Sequence, residues 1–203
     1  MMRWLLTTLL AVSMAAQSVL AADKLPYKEI DPPLPTDSGD QVEVLEFFWY
    51  GCPHCYDFDP YVEKWLETKP DNVSFRRVPV ALRSSWEPHA RFFYTAEVLG
   101  VADQLHGPLF KAIQEEKRKL NDKQALVAFA AEHGVNEAEF RKTWDSFPVV
   151  LKMERSKKLA ASYRITGVPM VGINGKYLTG GRYAGSFPEI IETVNALIEK
   201  EGG

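Results

Sequence analysis

The chain has 203 residues, 46% of them apolar and 12% aromatic, with a formal net charge of −3. That length is long for one minimal domain and short for two of typical size, so it predicts one core carrying an insertion. No block of like charges interrupts it, which argues against a nucleic-acid or anionic-membrane binding surface.

Residues 1–22 are a different kind of sequence. A single charge, Arg3, precedes a mostly apolar run from Leu5 to Ala16 and a small-residue end from Ser18 to Ala22. This is the pattern of a secretory signal peptide cleaved near Ala21 or Ala22. A membrane anchor is the alternative, but a span needs about 20 apolar residues and this run is shorter. Cleavage removes Arg3 and takes the net charge from −3 to −4. Export also places the chain where disulfides persist. Residues 23–41 carry Pro26, Pro32, Pro33 and Pro35, too many for a regular element, and are expected to form an extended arm.

Val42 to Trp49 is apolar on both faces apart from Glu46, as a central buried strand should be. It runs through Tyr50-Gly51 into Cys52 and Cys55, the only two cysteines. Pro53 suits the first turn of a helix, where its missing N–H has no partner to lose. Cys52 then sits at the helix N-terminus. Unpaired backbone N–H groups and the positive end of the helix dipole favour an anion there, so Cys52 should ionise more easily than a free thiol. Cys55 lies one turn deeper, shielded, yet close enough to form a disulfide with Cys52.

Phe58, Tyr61, Val62, Trp65 and Leu66 recur at helical spacing and predict a helix over 53–68, with Pro60 inside it as a potential kink. Val73 to Val80 is a second strand, joined to the first by a right-handed parallel crossover. Helical patterns follow: 88–99 closed by Gly100, 108–120, 122–133, and one opened by an Asn136/Glu139 capping box and bearing Phe140, Trp144 and Phe147. Another runs from about 149 to 163. Their apolar faces are those of a helical subdomain, and His89, His106 and His133 within it lie at no ligand spacing and read as surface or packing residues. Val168–Ile173 and Lys176–Thr179 flank Asn174-Gly175, a strong hairpin signal. Ser186 with Glu189 opens the last helix, which carries Ile190, Val194, Leu197 and Ile198 to Lys200.

The order β-α-β, helical insert, α-β-β-α predicts an α/β chain with the thioredoxin arrangement and an inserted all-helical subdomain. Residues 42–82 and 156–203 form the thioredoxin-like domain and 83–155 the insert. The runs EFFWYGCPHC, Thr166-Gly167-Val168-Pro169 and Ile173-Asn174-Gly175-Lys176-Tyr177 together resemble the DsbA-type thiol:disulfide oxidoreductases of the bacterial periplasm. The resemblance extends from Val42 to Lys200, insert included. It implies a periplasmic monomer with a redox-active Cys52–Cys55 disulfide and no other cofactor or metal. It would donate that disulfide to newly exported, unfolded proteins and be reoxidised by a DsbB-type membrane quinone reductase. The helical insert, on the same analogy, roofs the site and supplies part of an apolar peptide groove.

Residue roles follow on the same basis. Pro53 and His54 lie between the cysteines. His54 can give the Cys52 thiolate a hydrogen bond or a positive charge, which stabilises the reduced protein and makes the disulfide a strong oxidant; the alternative is an exposed loop histidine. Pro169 alone would be read as trans, but the resemblance implies a cis-proline loop against the cysteines, with the backbone of Val168 pairing with an extended substrate. Glu46 is an acid in an apolar strand, costly unless partnered. It either reaches the sheet edge or, as the family implies, lies beneath Cys55 and manages its proton. Related proteins have a lysine on the next strand where this chain has Arg77. Arginine cannot give up a proton, so Arg77 would be a fixed counter-charge and Glu46 the single proton carrier.

Two rival readings remain. A disulfide isomerase or reductase would share the chemistry, but an isomerase of this type usually brings a dimerisation domain and residues 23–41 are too few. A zinc-binding or interaction module would need more than one CxxC, because closed zinc sites take four ligands.

Overall fold

The computed structural model describes residues 25–202, so the predicted signal peptide lies outside the described residues. Five strands form one sheet in the order β1-β5-β4-β2-β3. They are β1 Lys28–Glu29, β2 Val42–Phe48, β3 Val73–Pro79, β4 Met170–Ile173 and β5 Tyr177–Gly180. All seven positions of β2 are buried, because helices cover both its faces. It runs parallel to β3, reached through helix α1 (Pro53–Leu66), and antiparallel to β4. Asn174 and Gly175 both take positive φ, 49° and 67°, as a two-residue hairpin turn between β4 and β5 requires.

Strand alternation sends β2 side chains to two cores. Val42 and Val44 pack with Phe58, Val62 and Trp65 of α1 and with Ile190, Val194 and Leu197 of α7 (Phe187–Gly202). Leu45 and Phe47 face the other way, onto Ala160 of α6 (Phe147–Ser162) and Tyr163. Between β3 and α6 the chain forms a 3-10 turn at Ser84–Trp86 and helices α2 (Glu87–Val98), α3 (Ala102–Gln114), α4 (Lys123–Glu132) and α5 (Glu137–Thr143). Phe92, Leu109, Phe110, Leu126, Phe129 and Phe140 are the centre of their cluster, which also contains Phe48, Tyr50 and Cys55. The insert and the cysteine pair therefore share one core.

Several boundaries differ from the sequence reading. The arm is not free of regular structure: Lys28 and Glu29 pair with Leu178 and Tyr177, and the bonds Ile30 N–H to Lys176 O and Leu34 N–H to Gly175 O extend the contact. Two residues are too few to show a periodicity, and the open edge of β5 supplies the partner. Helix α3 begins six residues before its predicted start, with Pro108 inside it. Burial of Leu105, His106, Leu109 and Phe110 outweighs the hydrogen bond that Pro108 cannot make. The same helix stops at Gln114 rather than Leu120, and Lys117 then takes a left-handed φ of 55°. Phe147, expected on an apolar face with Phe140 and Trp144, instead starts α6 and is 76% exposed. The strand predicted from Val168 begins at Met170, since Pro169 has no N–H for the ladder. Helix α1 passes through Pro60 as one element. Among the described residues no helix is long and apolar enough to cross a membrane.

Candidate active site

The end of β2 carries Trp49 into a tight turn in which the Cys52 N–H bonds back to the Trp49 carbonyl at 2.9 Å. Gly51 is required there by close approach: a Cβ on it would stand 2.2 Å from the Trp49 ring. That indole is stacked on Trp86 of the 3-10 turn, centroids 4.0 Å apart and planes within 5°. Cys52 is the N-cap of α1, Pro53 fills the first helical position, and the Cys52 carbonyl accepts from the N–H groups of Cys55 and Tyr56 at 3.1 and 3.2 Å.

Both cysteines are free thiols here, and their surroundings divide them. Cys52 is partly exposed, and its pKa is lowered to about 6. The largest cause is a hydrogen bond from the Cys55 thiol, opposed by partial burial and aided by the backbone N–H groups of Cys55 and His54 and the charge of His54. Burial pushes the Cys55 thiol far up, and the anion at Cys52 adds to this. One sulfur is thus a thiolate at neutral pH while the other holds its proton. On the opposite side, Val168–Pro169 is a cis peptide, and the Val168 carbonyl lies 3.5 Å from Cys52 Sγ. Gly180, at φ 139°, lets β5 approach this loop; a Cβ there would meet the Pro169 carbonyl at 2.6 Å. Val168, Pro169 and the exposed His54 share one cleft of about 620 Å3, which continues between the loop before β4, the loop after β5 and Tyr61 of α1.

Glu46 lies in the interior, 1% exposed, and pairs in register with Arg77 of β3. The sheet-edge alternative is thereby excluded for its carboxylate. Its Oε2 is 3.3 Å from Arg77 Nε, too poorly aligned for a hydrogen bond, so the contact is one of charge. Burial raises the Glu46 pKa to about 7, the Arg77 charge opposes this, and Asp59 and Glu63 reinforce it. Arg77 divides its charge, with Nη2 at 3.5 Å from Asp59 and 2.5 Å from Glu63.

His106 completes this group. It is 4% exposed, with Nε2 3.0 Å from Asp59 Oδ1 and Nδ1 2.8 Å from the Tyr50 hydroxyl. Burial holds Tyr50 well above the ordinary phenol range and lowers His106. The phenol therefore donates to Nδ1, and Nε2–H of a neutral imidazole donates to Asp59. Among the described residues Asp59, Glu63 and His106 are the one grouping at metal-ligand spacing, but the guanidinium of Arg77 already fills the cation position between the carboxylates. Sequence alone gives no role to Tyr50 or Asp59. Of His106 it allowed a packing role, and its position i+7 from the glycine-capped Leu99 gave no sign of a buried polar contact. The signal available for Asp59 was a carboxylate on the apolar face of α1, one residue after Phe58.

A family model for the DSBA-like thioredoxin domain matches residues 43–188. The chain belongs to this family. It is 38% identical over 197 residues to the thiol:disulfide interchange protein DsbA of Pseudomonas syringae pv. tomato, covering 95% of this chain and 92% of the relative. To the DsbA of Azotobacter vinelandii it is 39% identical, with 96% and 92% covered. The crystal structure of Pseudomonas aeruginosa DsbA superposes with a TM-score of 0.83 at 40% identity, over 87% of this chain and 92% of that one. Membership makes the chain a thiol:disulfide oxidoreductase of the DsbA type with a thioredoxin fold.

Proposed function

We propose that the protein is an oxidant of protein dithiols in the periplasm, that Cys52 and Cys55 carry its disulfide, and that no further cofactor takes part. The observation that carries this reading is the contrast between the two thiols, one lowered to about 6 at a helix N-terminus and the other raised in the core. Stabilising the Cys52 thiolate stabilises the reduced protein, so the disulfide form tends to give its bridge away.

In the oxidising direction a client thiolate attacks Cys52 Sγ, the S–S bond breaks, and the electron pair leaves on Cys55. That buried thiolate has a high proton affinity, and Glu46, about half protonated at neutral pH, supplies the proton. Arg77 stays charged and holds Glu46 in place. A second client thiolate then attacks the client sulfur of the mixed disulfide, and Cys52 departs as a thiolate. The client leaves oxidised and the protein reduced. His54 and Pro53 hold the helix start and its charge. The Val168 carbonyl and cis Pro169 line the place where an extended client backbone can pair. The clients are unfolded exported chains with free thiols, and a membrane quinone reductase of the DsbB type restores the disulfide. With β1 and the arm lying along the β5 edge, a monomer is the form this reading takes.

Titration of ultraviolet thiolate absorbance together with the equilibrium against glutathione tests the reading. The expected result is a Cys52 midpoint near 6 and a disulfide reduced more readily than glutathione's own. A Cys52 that ionises only in alkaline solution, or a disulfide held far more tightly than glutathione's, would indicate a reductase.

A further inference from the structure

The cleft that begins at Val168 differs in charge from the molecule around it. Among the described residues its lining includes Arg164, Arg182 and His54 and no acidic residue, with the Glu189 carboxylate at its rim accepting from the Gly185 N–H, on a chain whose net charge is −3. Arg164 and Arg182, like Arg83, Arg91 and Arg155, form no ion pair among the described residues, in contrast to Arg76, Arg77, Arg118 and Arg141; what sets Arg164 and Arg182 apart is that both line this one cleft. Arg182 is held by a neutral group instead: Nη1 bonds Thr166 Oγ1 at 3.2 Å, joining the loop after β5 to the loop before β4. That bond is exposed and leaves the guanidinium without an acidic partner among the described residues.

Arg164 carries a second, independent indication. It follows α6 with a left-handed φ of 53°, at a position where glycine or asparagine normally ends a helix. A left-handed backbone conformation of this kind costs about 1–2 kcal/mol for other residues, and Lys117 adopts it too. The helix dipole favours a cation there, but that explains a charge near the helix end rather than an exposed side chain set into the cleft wall. Apart from Thr166 and Ser186 the remaining lining is apolar, aromatic or glycine, with Tyr61, 41% exposed, lying against Phe187 at 5.6 Å between centroids.

We propose that this cleft selects client segments by charge: those in which acidic residues and one apolar or aromatic side chain lie within a few residues of the reactive cysteine. This rests on the dithiol-oxidase reading above. A client cysteine bonded to Cys52 places its own backbone beside Val168, and neighbours spaced about 3.3 Å along an extended chain then lie over the two guanidinium groups and the aromatic pair.

The test uses the purified, oxidised protein and two synthetic peptides, each with two cysteines and one phenylalanine, differing only in two Asp against two Asn. Each rate is divided by that peptide's rate with glutathione disulfide, since a nearby carboxylate raises a thiol pKa. The expected acidic-to-neutral ratio is about three- to tenfold at low ionic strength and shrinks as salt is added. In the double variant Arg164→Asn, Arg182→Gln the ratio falls to about one; because it is a ratio, it does not depend on the folded fraction. A ratio of one in the native protein, or a preference that survives in the double variant, overturns the proposal while leaving the oxidase reading intact. If the neutral peptide is not oxidised at all, the oxidase reading and this inference fall together.

Discussion

Burial raises Glu46 from 4.5 to about 7, and the sign of its effect on stability is fixed by that direction. A carboxyl that binds its proton more tightly in the folded chain contributes stability that is complete below pH 4.5 and is lost as pH rises to 7. The loss is about 3 kcal/mol across the window. Glu46→Gln has nothing to titrate, so relative to the parent its stability should climb by about that amount between pH 4.5 and pH 8, as read from urea midpoints of the reduced proteins. The same variant should slow formation of the mixed disulfide, the step in which Cys55 leaves and takes up a proton; an unchanged rate would mean that Glu46 carries no proton for Cys55. His106 gives a different expectation. Replacing it with Phe strips an acceptor from the Tyr50 hydroxyl and a donor from Asp59, both buried, and should cost about 2–3 kcal/mol in unfolding free energy. His106→Phe with unaltered stability would show that solvent satisfies those groups.

The elements place these residues through a few close approaches. β2 ends where α1 begins, so one strand-to-helix turn fixes Cys52 at an N-terminus, while β4 and β5 bring the Val168–Pro169 loop within 3.5 Å of its sulfur. The approach depends on Gly180, whose φ of 139° and missing Cβ admit the Pro169 carbonyl. Gly180→Ala must move that loop. The expected outcome is a destabilisation of about 2–3 kcal/mol and a larger slowing with extended peptides than with glutathione, since in the proposed mechanism only the former pair with the Val168 backbone. Equal slowing of both would place the damage at Cys52 instead.

Across the molecule the insert and the thioredoxin-like portion are bound by shared packing. Helix α6 contributes Val149 and Met153 to the insert's cluster and Ala160 to the sheet's, and it runs unbroken from Phe147 to Ser162. Phe48, at the end of the central strand, contacts the rings of Tyr50, Phe93, His106 and Phe110. Such an arrangement should unfold as one unit. Phe48→Ala is expected to lower stability by about 3–5 kcal/mol while far-ultraviolet and aromatic signals still change together in denaturant. Two separated transitions would mean that the insert has a core of its own.

Much of this was legible along the chain because it rests on local physics. The buried strand, the Pro53 helix start, the N-terminal Cys52, the Asn174-Gly175 hairpin and the capped last helix are each written in a few neighbouring residues, where sterics, dipole and periodicity act at short range. Arg77 was placed near Glu46 only by resemblance to related proteins that carry a lysine there; whether the two touch was decided by the register of β2 on β3. Contacts between residues far apart in the chain were not accessible in that way. That Lys28 and Glu29 would add a strand, that α3 would continue back through Pro108, and that His106 would reach Asp59 and Tyr50 all depend on which open edge or buried surface the completed fold presents. Those outcomes came from packing, because a hydrogen bond or apolar contact across 47 or 56 residues leaves no periodic trace in either segment it joins.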